Sequence, residues 1–365
     1  MTHTTDITLI GGGVIGLLTA RAFINAGASV TIIDKALLGQ ESSWAGGGIL
    51  LPLYPWRQAD AISQLAVHSL SLYPSLATQL FAETNKDPEW TPCGLLITKN
   101  PDINDAIAWC QHHGIRFQDA KASFFKDLVT QTDQPLWLPD IAQARNPRLV
   151  KSLKQDLINK GTTLIEHCEL TAIRQVQHTI THIETSTGLY PVKEVIISAG
   201  AWTGSLFQAL FKGLMASPTI APVKGQMLLF EAEAGLLPSM VLDGDHYLIP
   251  RRDGKILAGS TVEHDGFNKH TTETARNDLT DFALSLLPAL RHAPLLHHWA
   301  GLRPGTELGI PYIDRHPDIS NLSINAGHFR NGLVMGPASA QLMVDLLLKL
   351  PTSVDPEPYQ LGRNR

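Results

Sequence analysis

The chain is poor in cysteine and has no long apolar run, and each shortage narrows what it can be. Its 365 residues include only Cys93, Cys110 and Cys168, an odd and widely spaced set with no CxxC pair. That pattern argues against a disulfide framework or a cysteine zinc site and leaves the three as buried apolar residues. No apolar stretch approaches the roughly 18 residues of a membrane span, and Met1 to Asp6 is short and polar, without basic and apolar signal regions. The expectation is a cytoplasmic protein with no membrane partner. A net charge of -5 provides no positive field to attract nucleic acid, so a tRNA or DNA substrate is not expected. Neither an internal repeat nor a low-complexity segment is visible. The 15 histidines contain no HExxH, and the pairs His112-His113 and His297-His298 are neighbours that point to different faces, so no metal site is expected.

What is present begins with glycine. Gly11, Gly13 and Gly16 have GxGxxG spacing directly after the apolar run Ile7 to Ile10. Gly11 allows a sharp turn, Gly13 leaves room for a pyrophosphate at the helix-start amides, and Gly16 allows the helix to pack closely on the sheet. A helix through Leu17, Ala20, Phe23 and Ile24 reaches Gly27, and a strand from Ser29 to Ile33 ends at Asp34. Its carboxylate is placed to accept hydrogen bonds from a ribose and to repel a 2′-phosphate, which disfavours NADP. The complete strand, turn, helix, strand and acid order predicts dinucleotide binding and leaves FAD and NAD both open.

Further along, a glycine-rich loop spans Leu37 to Leu51, and a helix carries Leu65, Leu72, Leu76 and Leu80 on one face. From Pro92 the pattern changes to strands and short helices, with Gly94 to Thr98 extended and Ile103 to His113 helical, as on entry to a second domain. Arg148 to Lys160 reads as a helix, followed by strands Thr163 to Glu166, Leu170 to Gln177, Thr181 to Thr185 and Glu194 to Ser198. Gly225 to Glu231 and the hairpin Tyr247 to Arg251 with Lys255 to Ser260 are strongly β, as suits a sheet covering a ligand. Thr272 to Leu287 is a helix stopped by Pro288. A final helix is predicted from Pro337 to Lys349, just after the run Asn331 to Gly336.

Several of these segments carry a resemblance. Ile10 to Gly16, the Ser42-Ser43 loop, Ser198-Ala199-Gly200-Ala201-Trp202-Thr203-Gly204, Pro222-Val223-Lys224-Gly225, Trp299-Ala300-Gly301-Leu302-Arg303-Pro304-Gly305-Thr306 and Gly327-His328-Phe329-Arg330-Asn331-Gly332 resemble the D-amino-acid oxidase superfamily, in particular its glycine oxidase (ThiO) branch. The resemblance covers nearly the whole chain and implies FAD rather than NAD. It implies an α/β fold: a Rossmann-like FAD-binding domain of the glutathione-reductase type (1–88, 142–218 and 303–365) and an antiparallel-sheet substrate domain (89–141 and 219–302).

Carried over by position, the resemblance puts the flavin pyrophosphate at Gly11, Gly13, Val14, Ile15 and Gly16, and the ribose at Asp34 and Lys35. The ring system would lie along Ser42, Ser43, Ala45, Gly46, Gly47, Gly48 and Leu50, with the adenine at the backbone of Leu170. Ala199, Gly200, Trp202, His328, Arg330, Asn331, Gly332 and Leu333 complete the expected cofactor set. Asp34 stands where the superfamily more often has glutamate. No cysteine or histidine sits at an evident attachment motif, so the FAD is expected to be non-covalent.

For the substrate, Arg303 is the leading candidate, because a planar guanidinium can hold an amino-acid carboxylate through two parallel charge-assisted hydrogen bonds. The resemblance gives Tyr247 an assisting hydroxyl at that carboxylate. Arg330 either lines the site or acts as scaffold. No side chain is expected to act as acid or base, and His328 reads as a buried packing residue. The implied reaction passes the α-hydride of glycine, sarcosine or a small D-amino acid to flavin N5, with O2 reduced to H2O2 and an imine released. In the ThiO branch that imine feeds thiamine thiazole formation, which makes a thiazole synthase the implied partner; a homo-oligomer stays open. Two alternatives stand beside this reading: a D-amino-acid dehydrogenase passing electrons to a quinone or carrier, and a non-catalytic flavoprotein partner in thiamine assembly. Pro52, Tyr54, Pro55 and Trp56 either narrow the entrance or form a rigid loop packed on its own domain.

Overall fold

The computed structural model describes residues 4–120, 127–130, 134–214 and 216–363, so parts of the expected domain ranges, and the first half of the Met1 to Asp6 segment, lie outside the described residues. The first of its two large sheets has six strands in the order Tyr312–Arg315, Leu322–Ala326, Glu194–Ile197, Ile7–Ile10, Val30–Ile33 and Thr163–Ile165. All neighbours are parallel except Tyr312–Arg315. Central parallel strands are covered on both faces, and the side chains alternate accordingly. Ile7, Leu9, Ile32 and Ile196 enter one core with the helices Val14–Asn25, Asp60–Thr84, Asn146–Asn159 and Gly332–Leu348. Ile10, Ile33, Val195 and Ile197 enter a second core with Phe207 of the helix Thr203–Leu210 and with Ile180 and Ile183 of a three-stranded antiparallel sheet.

The second large sheet has eight strands in the order Leu295–Gly305, Ala221–Phe230, Ile256–Gly259, His246–Pro250, Met240–Asp243, Leu95–Lys99, Leu136–Leu138 and Gln118–Asp119. It is antiparallel, as expected, except that Met240–Asp243 and Leu95–Lys99 run parallel. Here too alternate residues face opposite ways. Leu95, Ile97, Met240, Leu242, Tyr247 and Ile249 share one cluster with Met227. Leu96, Val241 and Leu248 lie in another, with Leu279, Ala283 and Leu286 of the helix Glu273–Leu286. That helix is capped by the Thr272 hydroxyl, which accepts from the Ala275 N–H.

Three expectations change. The last helix begins at Gly332, not Pro337, which lies inside it. Proline lacks the N–H that would bond the carbonyl four residues back; the Leu333 carbonyl instead accepts from the Tyr73 hydroxyl at 2.5 Å, and the Ala338 N–H donates to Ser69 Oγ at 3.0 Å. Both partners come from Asp60–Thr84, so tertiary contacts repair the interruption. On that helix Leu65, Leu76 and Leu80 are core, but Tyr73 takes the level at which Leu72 was expected. Cys110 and Cys168 are buried as expected, whereas Cys93 is only partly buried; all three are free. Among the described residues no helix is long and apolar enough to cross a membrane.

The glycine turn has little freedom. Gly11 has φ +108°, and a Cβ there would lie 2.4 Å from the Ser198 carbonyl oxygen. A Cβ on Gly16 would lie 2.0 Å from the Gly11 carbonyl oxygen. Gly16→Ala should therefore force the helix away from the strand and destabilise the protein by about 1–3 kcal/mol, the usual scale of overpacking. The urea midpoint measures this, and an unchanged midpoint would contradict the packing described.

Candidate active site

A cavity of about 580 Å³ runs between the carboxyl ends of the first sheet's strands and one face of the second sheet. Crevices at strand ends of this kind are where open α/β sheets place ligands. All the expected site residues line it except two. Gly16 lies behind the turn in the packing role just described. Leu50 is fully buried in the first core, with its N–H bonded to the Ala142 carbonyl, and does not line the cavity.

At the end nearest the glycine turn, Asp34 Oδ2 accepts from the Gly12 N–H at 2.7 Å and Oδ1 from the Ala36 N–H at 2.8 Å. Burial nevertheless pushes its pKa up. Ser43 Oγ accepts from the Val14 N–H at 2.8 Å. The helix-start amides are thus partly used within the protein, and those of Gly13 and Ile15 meet no acceptor among the described residues. Lys35 Nζ sits 4.0 Å from the centre of the Trp202 ring. Asn146 supports the glycine loop: its Nδ2 donates to the Ser43 carbonyl, and a Cβ on Gly46 or Gly48 would come within 2.8 Å of its amide. Arg251, which is buried, donates to the Gly47 carbonyl at 2.8 Å.

At the other end, Arg303 reaches over Gly225, where a Cβ would lie 2.2 Å from its guanidinium. Nη1 donates to the carbonyls of Lys224 (3.3 Å) and Thr261 (3.0 Å), and Nη2 to Ser260 Oγ (2.8 Å). Among the described residues no carboxylate pairs with it. Burial pushes its pKa down, with Tyr247 favouring and Arg330 opposing its charge. Tyr247 pairs in register with Gly259, which pairs with Met227, so these three form one row across the sheet. The Tyr247 hydroxyl is 4.0 Å from Met227 Sδ. Arg330 also makes no ion pair among the described residues, and its Nε has no hydrogen-bond partner. The loop after Leu51 packs across to the other expected domain range rather than on its own: Tyr54 Oη donates to the Lys99 carbonyl at 2.7 Å and Trp56 Nε1 to Asp102 at 3.3 Å, while Leu51 and Leu53 line the cavity.

Sequence reasoning missed Met227, Ser260, Asn146 and Arg251. Met227 was within reach, since it follows Gly225 by two positions on a strand and so shares its face. The others depend on contacts made across the fold.

Residues that line the cavity also hold, beneath its surface, polar atoms with no partner among the described residues: Asn146 Oδ1, Ser198 Oγ, Asn325 Oδ1, His328 Nδ1 and Arg330 Nε. Buried polar atoms are normally satisfied. An elongated, polar cofactor reaching from the glycine turn to Arg303 fits the shape of the cavity and the open amides. Fold and site together define an FAD-dependent oxidoreductase. Residues 6–346 match the family model described as DAO, FAD dependent oxidoreductase, and the chain belongs to that family. It is 44% identical to the glycine oxidase of Pseudomonas putida over 97% of both chains. The crystal structure of glycine oxidase from Geobacillus kaustophilus superimposes over 100% of both chains with a TM-score of 0.92 at 28% identity. A bifunctional protein ThiO/ThiG of Trichormus variabilis is 29% identical over 95% of this chain and 53% of its own length.

His328 is 1% exposed. Ser339 Oγ donates to the Met335 carbonyl and so accepts from His328 Nε2–H at 2.9 Å, which leaves Nδ1 as a bare acceptor. Burial pushes its pKa down to about 3 from 6.5. Between those values the unfolded chain takes up a proton that the folded chain refuses, so stability present above pH 6.5 is lost as pH falls toward 3. Unfolding free energies measured at pH 7 and pH 5 should therefore fall more in the wild type than in His328→Asn; equal losses would refute this.

Proposed function

We propose that the enzyme oxidises glycine and other small amines, including sarcosine and small D-amino acids, with dioxygen as electron acceptor and hydrogen peroxide as product. The observation that carries this reading is Arg303, a half-buried cation at the cavity beside Tyr247 with no acidic partner among the described residues. A substrate carboxylate would provide the missing charge through two parallel hydrogen bonds, and the Tyr247 hydroxyl would add a third. Met227, Leu51 and Tyr247 bound the space beside them, in keeping with a small side chain or none. The glycine oxidases among the relatives point the same way.

Bound FAD supplies the two-electron oxidant that takes the α-hydride. The chain's own residues bind, orient and exclude water, and hydride loss from a neutral amine requires no side-chain base. In this reading residues 1–88, 142–218 and 303–365 hold a non-covalent FAD, and 89–141 and 219–302 shape the substrate space. Arg330 lines the substrate end, with His328 as neutral packing. The ThiO/ThiG relative supports a route in which the imine feeds a thiazole synthase.

Anaerobic bleaching of the flavin by glycine, sarcosine and D-alanine separately, followed by air, tests the reaction. Bleaching by glycine with rapid recovery and peroxide is expected. Reduction without reoxidation would mean a dehydrogenase, and no bleaching by any of the three would remove the catalytic reading. Arg303→Leu should retain its flavin yet lose roughly 100- to 1000-fold in kcat/KM, the scale of a lost buried charge contact. Acid precipitation should release the FAD into the supernatant; colour retained in the pellet would mean a covalent bond.

A further inference from the structure

The strand Ala221–Phe230 lies between the strand that carries Arg303 and the segment that follows the strand Ile256–Gly259. Arg303 pairs in register with Val223, and its guanidinium crosses the strand above Gly225 to reach Ser260 Oγ and the Thr261 carbonyl on the far side. Where the guanidinium sits therefore depends on where the segment 260–265 is held.

Lys224 and Gln226 hold that segment from the opposite face of the strand. Lys224 is only 1% exposed, which is rare for lysine. Its ammonium lies 2.8 Å from Glu263 Oε2 and 3.3 Å from Asp265 Oδ2, and donates to the His270 carbonyl at 3.3 Å. The backbones of Lys224 and Glu263 exchange both hydrogen bonds, at 2.8 and 2.9 Å. Gln226 Nε2 donates to Glu263 Oε1 at 2.8 Å, and the Gln226 N–H to Thr261 Oγ1 at 2.9 Å. Against the cost of burial, these partners keep Lys224 above and Glu263 below their ordinary values, so both are charged at neutral pH.

We propose that the buried Lys224–Glu263 pair is a positioning device for substrate binding: it fixes the Thr261 carbonyl and the Ser260 hydroxyl at the distance that aims the Arg303 guanidinium at the substrate carboxylate. This rests on the reading of Arg303 as the carboxylate anchor. Neither Lys224 nor Glu263 lines the cavity, so neither touches a ligand there directly and their effect reaches it through Arg303 and the Ser260 that holds it. Glycine at 225 is part of the device, because any side chain there would occupy the path of the guanidinium.

The test uses the FAD-loaded full chain and acetate, a carboxylate without an amine, with its dissociation constant read from the perturbation of the flavin spectrum. Lys224→Met and, as a same-sized second variant should that one fold poorly, Glu263→Gln should raise both the acetate Kd and the substrate KM by roughly 10- to 100-fold, the scale of a small misplacement. The kcat at saturating substrate and the flavin content should stay close to wild type, a split that general loosening of the fold would not produce. In an Arg303→Leu background, Lys224→Met should weaken acetate binding no further. Acetate affinity unmoved by Arg303→Leu overturns the Arg303 reading itself. Affinity lost in Arg303→Leu but unmoved in Lys224→Met and Glu263→Gln overturns only the positioning role, as does a fall in kcat with Kd unchanged.

Discussion

The Arg303 guanidinium is half buried at the cavity with no carboxylate beside it among the described residues, and its hydrogen bonds to Lys224, Thr261 and Ser260 offset part of the cost of that desolvation. Gly225 clears the path of the side chain. Ser260 and Thr261, just past the end of a strand, supply acceptors that do not neutralise it. A carboxylate in their place would have stabilised the protein and closed the site to an anionic ligand. Leaving the charge without an acid keeps it available.

The opposite end of the cavity follows a complementary logic. There the chain offers donors, in the amides of Gly13 and Ile15 that meet no acceptor among the described residues, and an acceptor, Asp34, whose two oxygens are oriented by the N–H groups of Gly12 and Ala36. Close packing of Gly16 on Gly11 brings the helix start to the strand end, so that backbone rather than side chain faces the cavity there. The two ends belong to different sheets, and Gly301 joins them: a Cβ there would lie 2.5 Å from that of Ala45, and Trp299 Nε1 donates to the Ala45 carbonyl at 3.1 Å.

Much of this was legible in the sequence wherever the chemistry is local. The glycine spacing, the apolar runs and the acid at the end of the second strand interact within about thirty residues of chain, and short-range sterics settle them. The hairpin turned at Arg252-Asp253-Gly254 was equally plain, because its turn and its alternation agree. Legibility fails where a remote partner reverses a local rule. Pro337 reads as a helix start, yet Ser69 and Tyr73 bond the backbone groups that it leaves without partners, and the helix continues through it. Leu50 sits beside the glycine loop in sequence but turns into the core. Tyr54 and Trp56 look like an entrance until Lys99 and Asp102 are found to hold them.

By itself the sequence determined the dinucleotide class of the cofactor and the strand-rich segments of the two sheets, since each is written in residue types at short spacing, and the resemblance pointed to Arg303 as the cation at the site. Only the tertiary structure decided that Arg303 has no acidic partner among the described residues, that it reaches across a neighbouring strand, and that the buried Lys224 pairs with Glu263, 39 positions away. The reason is physical. Covalent geometry limits what neighbouring residues can do, whereas the pairing of distant charges depends on strand register, which the whole core sets at once.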